Sequence, residues 1–190
     1  MNLKKIYNFS LILTACIKPI GIPYLKRKAP KKRLEDYKSA FLMWCENQDI
    51  KKIIFIENSG FDLEEFKKIA KKFPQKKIEI ISSNLNNSYP KKLGKGFGEY
   101  LCMKEVFKKS KIINKTDFFV KVSGRYYIKN FKEIIKCCKN FKDINLYLKD
   151  NLRYADSHLM IGSKSFFLNY VLKETIKTND SKGVFFEHCV

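Results

Sequence analysis

The chain has 190 residues, 45% of them hydrophobic and 14% aromatic, which is enough for one domain with a well-formed core. Lys and Arg number 39 against 19 Asp and Glu, and the formal charge of +20 predicts an acidic partner such as nucleic acid, anionic lipid or a phosphorylated small substrate. The six cysteines include no C-x-x-C pair and there are only two histidines, which argues against a zinc site. No stretch approaches the roughly 18 apolar residues of a membrane span.

The first sixteen residues, MNLKKIYNFSLILTAC, leave two interpretations open. Two lysines, a short apolar run and Leu-Thr-Ala-Cys resemble a bacterial lipoprotein signal, which would place the protein outside the cytoplasm. Asn8 and Ser10 interrupt the apolar run, and no flexible polar tether follows Cys16. We therefore favour the other interpretation, in which this stretch is the first buried strand of a cytoplasmic protein with free thiols.

Short apolar runs alternate with segments of helical period along the rest of the chain, a pattern typical of an α/β sheet covered by helices. In the first predicted helix, Tyr37, Phe41, Trp44 and Cys45 fall on one face, and Asp62 is a candidate N-cap of the second. The predicted strands are 9–16, 51–58, 76–83, one within 117–130, 144–149 and 157–162, and the predicted helices are 33–48, 62–73, 99–113, 131–141 and 164–177.

Three loops follow predicted strands, at the edge where open α/β sheets bind ligands. ENSG at 57–60 offers a carboxylate and an amide that could grip a base or ribose, or simply cap the next helix. GKGFGE at 94–99 could let a helix N-terminus approach a phosphate, although its spacing is not that of a dinucleotide-binding fingerprint. In SGRYY at 123–127, Arg125 could pair with a diphosphate and Lys121 could add a point charge, unless both are solvated surface cations.

The order of these loops resembles the GT-A fold of nucleotide-sugar glycosyltransferases, and the ENSG, GKGFGE and SGRYY stretches are similar to those of small bacterial proteins of lipopolysaccharide and capsule biosynthesis. The resemblance implies a single GT-A-like (Rossmann-like) domain over 1–190 with a mainly parallel sheet. Its nucleotide-sugar half would span about 8–130, and its acceptor half, about 131–190, would be short at the C-terminus. It also implies a donor site built from Thr14, Lys18, Glu57, Asn58, Gly94, Lys95, Gly96, Gly98, Lys121, Ser123, Arg125 and Tyr126.

The chain departs from the family pattern at one position. Where GT-A enzymes carry an Asp-x-Asp motif that holds a metal ion and the donor diphosphate, this sequence has KVSGRYY. Negative charge develops on the leaving phosphate, so a cation must stand opposite it. We expect Arg125 with Lys121, assisted by a tyrosine hydroxyl such as that of Tyr126, to take that place without a metal or other cofactor.

Inverting transfer needs a carboxylate to accept the proton of the acceptor hydroxyl. Glu187, in FFEH, stands where the family's acidic motif falls, and Asp156 and His158 are reserve candidates. The implied partners are a nucleotide sugar and a saccharide or lipid-linked saccharide acceptor. The basic segment from Lys18 to Arg33 is predicted to face either anionic phospholipid, at the inner face of the cytoplasmic membrane, or a phosphorylated acceptor.

Two other classes stay open. One is an inactive glycosyltransferase-like scaffold of a polysaccharide assembly complex, which the early C-terminus would suit. The other is a basic nucleic-acid-binding protein, which the charge alone would suit. The aromatic residues fall in the apolar periods of the predicted elements and the sequence has no nucleic-acid-binding motif, so we expect no nucleic acid partner.

Overall fold

The computed structural model describes residues 8–23, 25–138, 143–148 and 155–190. The start of the candidate signal and the ends of the predicted helix 131–141 and strand 144–149 lie outside these residues. Phe9–Ala15, which the signal interpretation would assign to a leader, is a strand with neighbours on both sides.

The described strands form one mainly parallel sheet in the order β3-β2-β1-β4-β6-β5. Strands β1, β2, β3 and β4 pair in parallel, whereas β6 runs antiparallel to both β4 and β5. This arrangement confirms the predicted α/β class. The strands are β1 (Phe9–Ala15), β2 (Lys52–Glu57), β3 (Lys77–Ser82), β4 (Phe118–Ser123), β5 (Ile144–Leu148) and β6 (Ala155–Ser163).

The helices connect and cover these strands. They are α1 (Pro30–Glu46), α2 (Glu64–Lys71), α3 (Gly94–Lys109), α4 (Phe131–Cys137), α5 (Lys164–Phe166), a π-helical segment (Phe167–Val171) and α6 (Leu172–Thr175). Short 3₁₀ turns occur at Leu85–Asn87, Lys91–Leu93, Ile113–Lys115, Asp180–Lys182 and Phe186–His188.

Two helices begin earlier than predicted. Helix α1 begins at Pro30, which suits a first helical position because its missing N–H would have no intrahelical partner there. Helix α3 begins at Gly94, so the prediction that GKGFGE is a loop leading into a helix is wrong. Its first turn is stabilised from a distant part of the chain, because the Asp180 carboxylate accepts a hydrogen bond from the Lys95 N–H (3.1 Å).

The core lies on both faces of the sheet because strand side chains alternate between them. On β1, Leu11 and Leu13 belong to the cluster that contains Phe41 and Trp44 of α1, whereas Ile12 belongs to the cluster that contains Met103 of α3. The predicted apolar face of α1, with Tyr37, Phe41, Trp44 and Cys45, is buried.

The chain order creates a crevice beside β1. From β1 the chain builds β2 and β3 on one side and then returns to place β4 on the other, so the loops after β1 and β4 lead away in opposite directions. Ligands of open α/β sheets bind at such a switch point, outside the carboxyl ends of the strands.

In the part of the chain that the structure describes, no helix has the length and apolarity needed to cross a bilayer.

Candidate functional site

A cleft opens at this switch point and encloses about 860 Å³ of empty space, including the part open to solvent. Its walls come from the ends of β1 and β4, the first turns of α1 and α3, and the segments around 157 and 187. Nine of the predicted site residues line it: Thr14, Asn58, Lys95, Gly96, Gly98, Ser123, Arg125, His158 and Glu187. Lys18, Glu57, Gly94, Lys121, Tyr126 and Asp156 do not line it.

The turn after β4 directs Arg125 into the cleft. The Gly124 N–H donates to the Thr14 carbonyl (2.9 Å), and a Cβ at this position would lie only 2.9 Å from the same carbonyl oxygen. Only glycine allows this close approach to β1. Two residues after Gly124, the Tyr126 carbonyl accepts a hydrogen bond from the Trp44 indole N–H (2.9 Å), which holds the far side of the turn.

The Arg125 guanidinium lies 5.0 Å from the centroid of the Tyr126 ring. Within the described residues it forms no ion pair with a carboxylate. The ammonium of Lys95 also has no ion pair there. Positive charge in the cleft is therefore left over for a ligand.

Lys121 is different, because its side chain is fully buried and its charge is already neutralised. Its ammonium lies 2.5 Å from a Glu99 carboxylate oxygen and donates to the Ser157 carbonyl (2.6 Å). The Thr14 hydroxyl donates to the same Glu99 oxygen (2.8 Å). The expectation that Lys121 presents its charge to a donor phosphate does not fit this placement. Its contacts instead tie β4, α3 and β6 together behind the cleft wall.

Glu187 lies in the cleft and has one hydrogen-bond partner among the described residues. The Ser157 hydroxyl donates to its Oε1 (2.7 Å), so one carboxylate oxygen is held by the protein and the other has no hydrogen-bond donor among the described residues. Ser157 is the residue whose carbonyl accepts from Lys121. A carboxylate that is positioned through one oxygen and open at the other suits a proton acceptor.

The reserve candidates lie together at the rim. The His158 backbone N–H donates to Asp156 (2.8 Å), and the His158 ring contacts the same carboxylate. The ring packs edge-on against Tyr126, with 5.1 Å between centroids. His158, with 54% of its side chain exposed, lines the cleft, whereas Asp156, with 25% exposed, does not.

Glu57 organises the loops rather than facing the cleft. Its buried carboxylate accepts hydrogen bonds from the N–H groups of Ile17 (2.9 Å), Ser59 (3.0 Å) and Phe61 (3.0 Å). It thereby joins the loop after β1 to the loop after β2.

Lys18 is exposed, and its backbone N–H donates to the Ser59 hydroxyl (3.0 Å). Asp62 accepts from the Glu64 N–H (3.1 Å) at the start of α2, where Leu63 is the N-cap.

Two buried amides in the cleft wall have unsatisfied polar atoms. Asn58 is 4% exposed and Asn86 is 1% exposed, yet Asn58 Oδ1 and Asn86 Nδ2 have no hydrogen-bond partner among the residues that the structure describes. The Asn86 N–H donates to the Asn58 carbonyl (2.7 Å), which holds the two residues side by side. Leaving such atoms unpaired costs free energy, so an acceptor and a donor in a ligand are the natural partners.

The glycines of α3 allow close packing around its first turn. A Cβ at Gly98 would lie 2.7 Å from the Tyr89 hydroxyl, and one at Gly96 would lie 2.8 Å from Thr178. Gly94, with φ +82°, is covered by Asp180 instead of lining the cleft. Burial raises the pKa of Asp180, partly offset by the Lys95 N–H and charge.

Sequence reasoning missed several residues of the cleft. Arg33 was missed because it directly follows two lysines, and Tyr37 because it lies on the apolar face predicted for α1. Asn86 was missed because it lies in a polar loop without a recognisable motif. Glu99 and Ser157 had a detectable signal, because both flank residues that were predicted to be functional. Cys16 also lines the cleft, and burial raises the pKa of its thiol to about 12, so it is a neutral thiol there.

All six cysteines are free. Among the described residues, no three His, Cys, Asp or Glu side chains come together in a way that could hold a metal ion. The expectation that donor binding needs no metal stays a prediction from the sequence.

No family model and no curated protein matches the sequence. Solved structures with a similar fold include HddC from Yersinia pseudotuberculosis in complex with GMP-PN, at 15% identity over 85% of this chain and 80% of that one, with a TM-score of 0.49. The 4-diphosphocytidyl-2C-methyl-D-erythritol synthase of Anaerococcus prevotii is 13% identical over 87% of this chain and 74% of that one, with a TM-score of 0.49. A cytidylyltransferase from Leptospira borgpetersenii is 10% identical over 95% of this chain and 74% of that one, with a TM-score of 0.45. At these identities the comparisons concern the fold and not the activity.

Proposed function

We propose that the protein is a glycosyltransferase that takes a sugar from a nucleotide-sugar donor bound in the cleft. One observation carries the proposal. A single cleft holds the Asn58 and Asn86 amides, each with an unsatisfied atom, and Arg125, and the described part of the chain supplies no carboxylate partner for Arg125. The edge of a nucleobase supplies a donor and an acceptor for the amides, and a phosphate supplies the anion for the guanidinium.

Glu187 completes the proposed reaction. Its carboxylate accepts the proton of the acceptor hydroxyl as the hydroxyl oxygen attacks the anomeric carbon. The bond from that carbon to the phosphate oxygen breaks, and its electron pair leaves with the nucleotide. Arg125 stabilises the charge on the departing phosphate, which is the role that a metal ion takes in enzymes with an Asp-x-Asp motif. The acceptor would be a saccharide or a lipid-linked saccharide of a cell-surface polysaccharide.

The test is a screen with UDP-, GDP-, dTDP- and CMP-sugars, first by thermal shift and then by release of the free nucleotide. We expect one donor class to stabilise the protein and to be slowly hydrolysed even without an acceptor. Binding without any turnover would favour the inactive scaffold. Release of pyrophosphate from a nucleoside triphosphate and a sugar phosphate, with no turnover of nucleotide sugars, would replace glycosyl transfer by nucleotidyl transfer.

The proposed membrane partner has its own test. Lys26, Lys28, Lys31 and Lys32 are exposed on one segment and would attract anionic lipid. We expect charge reversal of these four residues to abolish sedimentation with vesicles that contain phosphatidylglycerol. The matched control reverses four exposed lysines elsewhere, Lys68, Lys71, Lys72 and Lys108. Equal losses in both variants would reduce the effect to overall charge.

A further inference from the structure

One wall of the cleft carries a buried cation that the fold does not explain. Arg33 is 5% exposed, and its guanidinium donates to the Cys16 carbonyl (2.6 Å), the Arg27 carbonyl (3.0 Å) and the Tyr37 hydroxyl (2.9 Å). All three partners are neutral, and no carboxylate of the described residues forms an ion pair with Arg33. A guanidinium has five N–H groups, so two are left over. A buried charge without a counter-ion is costly, which points to an anion.

Tyr37 adds a second donor beside it. Its hydroxyl accepts from the Cys16 N–H (3.2 Å) and from Arg33 (2.9 Å), which leaves its own proton without an acceptor among the described residues. Burial raises the pKa of Tyr37 to about 12, with Arg33 acting in the opposite direction, so the phenol keeps that proton. The residue is 5% exposed and lines the cleft.

Arg125, in the turn after β4, supplies the third hydrogen-bond donor. The preceding residue, Gly124, packs on the Tyr37 ring, where an added Cβ would lie 3.4 Å from the ring edge. Arg33, Tyr37 and Arg125 all line the cleft. Apart from the Tyr37 hydroxyl oxygen, which already accepts two hydrogen bonds, their polar atoms are all donors, and their two positive charges are not balanced by an ion pair within the described residues.

We propose that Arg33, Tyr37 and Arg125 form a subsite for a phosphate group. A phosphate dianion matches two guanidinium groups in charge and accepts several hydrogen bonds at once. The assignment of this phosphate to the donor rests on the proposed function. A phosphorylated acceptor, such as a lipid-linked sugar phosphate, would present the same chemistry, and the experiment separates the two sources.

The experiment measures binding of inorganic phosphate, pyrophosphate and the best nucleotide sugar by calorimetry. The variants are Tyr37→Phe, Arg33→Lys and Arg125→Gln. The control is Lys32→Gln, which removes an exposed positive charge from the residue next to Arg33 on α1. We expect pyrophosphate to bind about tenfold or more weakly to the Arg33 and Arg125 variants, as for a lost charge-assisted hydrogen bond. Tyr37→Phe should bind pyrophosphate several-fold more weakly than the parent protein, and Lys32→Gln should bind it as tightly as the parent does.

Far-UV circular dichroism and thermal melting establish that each variant folds. Should Arg33→Lys fail to fold, Tyr37→Phe and Arg125→Gln still decide the proposal. The subsite is overturned when the parent protein binds neither phosphate nor pyrophosphate. It is also overturned when Lys32→Gln weakens binding as much as Arg125→Gln does.

The nucleoside without phosphate separates this subsite from the proposed function. Its binding should be the same in the parent and in all three variants. Pyrophosphate binding that depends on Arg33, Tyr37 and Arg125, without turnover of any nucleotide sugar, upholds the subsite and removes glycosyl transfer. Nucleotide-sugar turnover that falls in Arg125→Gln but is unchanged in Arg33→Lys and Tyr37→Phe removes the subsite and upholds glycosyl transfer. Loss of binding for a soluble prenyl phosphate, with nucleotide-sugar binding retained, assigns the phosphate to the acceptor.

Discussion

The ammonium of Lys121 lies 2.5 Å from a carboxylate oxygen of Glu99, and the two side chains differ in their access to water. The Lys121 side chain has no exposed surface, whereas 23% of the Glu99 side chain is exposed. Removing one partner of a buried pair leaves the other charge unpaired, at a cost of roughly 3–5 kcal/mol. The cost should depend on which charge is left behind.

We therefore expect Glu99→Gln to destabilise the protein more than Lys121→Met does. The first change leaves a wholly buried ammonium, while the second leaves a carboxylate that can still reach water and the Thr14 hydroxyl. The double variant should recover part of the loss. Urea unfolding of the four proteins measures this, and additive effects would mean that the two charges do not interact.

Loss of the Glu187 carboxylate should stop turnover without preventing donor binding. We expect Glu187→Gln to lower kcat by a factor of about 10²–10⁴, as for removal of a general base. Ser157→Ala should lower kcat less, because Ser157 holds only one oxygen of that carboxylate. The dissociation constant for the donor is the control. An equal loss of donor binding in Glu187→Gln would give the residue a binding role instead.

Donor binding should survive EDTA if Arg125 takes the place of a metal. Arg125→Ala should then weaken binding by about 1.5–3 kcal/mol, and Arg125→Lys should restore only part of it because an ammonium lacks the planar fork. Titrations of both variants with and without EDTA measure this. Loss of parent binding on chelation, or no effect of the alanine change, would mean that Arg125 does not stand in for a metal.

Gly94→Ala should be far more damaging than Gly183→Ala. Both glycines have positive φ, +82° at Gly94 and +72° at Gly183. Gly183, with ψ +12°, lies in the left-handed helical region, where alanine costs about 1–2 kcal/mol, whereas Gly94, with ψ −171°, lies in a region that is essentially restricted to glycine, so the backbone cost of alanine there is at least as large. At Gly183 a Cβ meets nothing within 4 Å, whereas at Gly94 it would fall 1.9 Å from Asp180 Oδ2. We expect Gly94→Ala to cost at least about 2 kcal/mol more in urea unfolding. Equal costs would mean that Asp180 moves aside freely.

Stability should fall as the pH rises above 9. Burial raises the pKa of the Cys45 thiol from 9.0 to about 12. Between those values the unfolded chain loses this proton and the folded protein keeps it, so unfolding becomes more favourable by up to about 1.4 kcal/mol per pH unit. Urea midpoints from pH 8 to 11 should therefore decline less in Cys45→Ala than in the parent. Cys137→Ala, at an exposed cysteine, is the control and should keep the parent slope.

The sequence was sufficient to predict the fold and the edge of the sheet that carries the cleft. Apolar runs of strand length, separated by amphipathic segments, specify buried parallel strands, and the loops after them must meet at one edge. Asn58, Gly96 and Arg125 were found in this way. The early start of α3 was missed because its stabilising carboxylate, Asp180, is far away in the chain.

The role of Lys121 shows where pattern reasoning stops. On β4 it shares a face with the buried Phe119, since side chains alternate along a strand, but the sequence analysis took Lys121 for a ligand-facing or solvated cation. Its partner Glu99 comes from another element, so only the packed structure reveals the neutralised pair. Arg33 is the opposite case, because nothing distinguishes it from the neighbouring lysines until its buried contacts are known.

The contact between Asp180 and the Lys95 N–H has a consequence for how the cleft opens. The segment that supplies Asp180 also supplies Phe186 and Glu187, so the wall that would face an acceptor and the first turn of α3 are joined. Neither can detach alone without exposing the other. The solvent exchange rate of this one amide proton should therefore report the opening of the whole C-terminal wall, and a bound ligand that touches both should slow it.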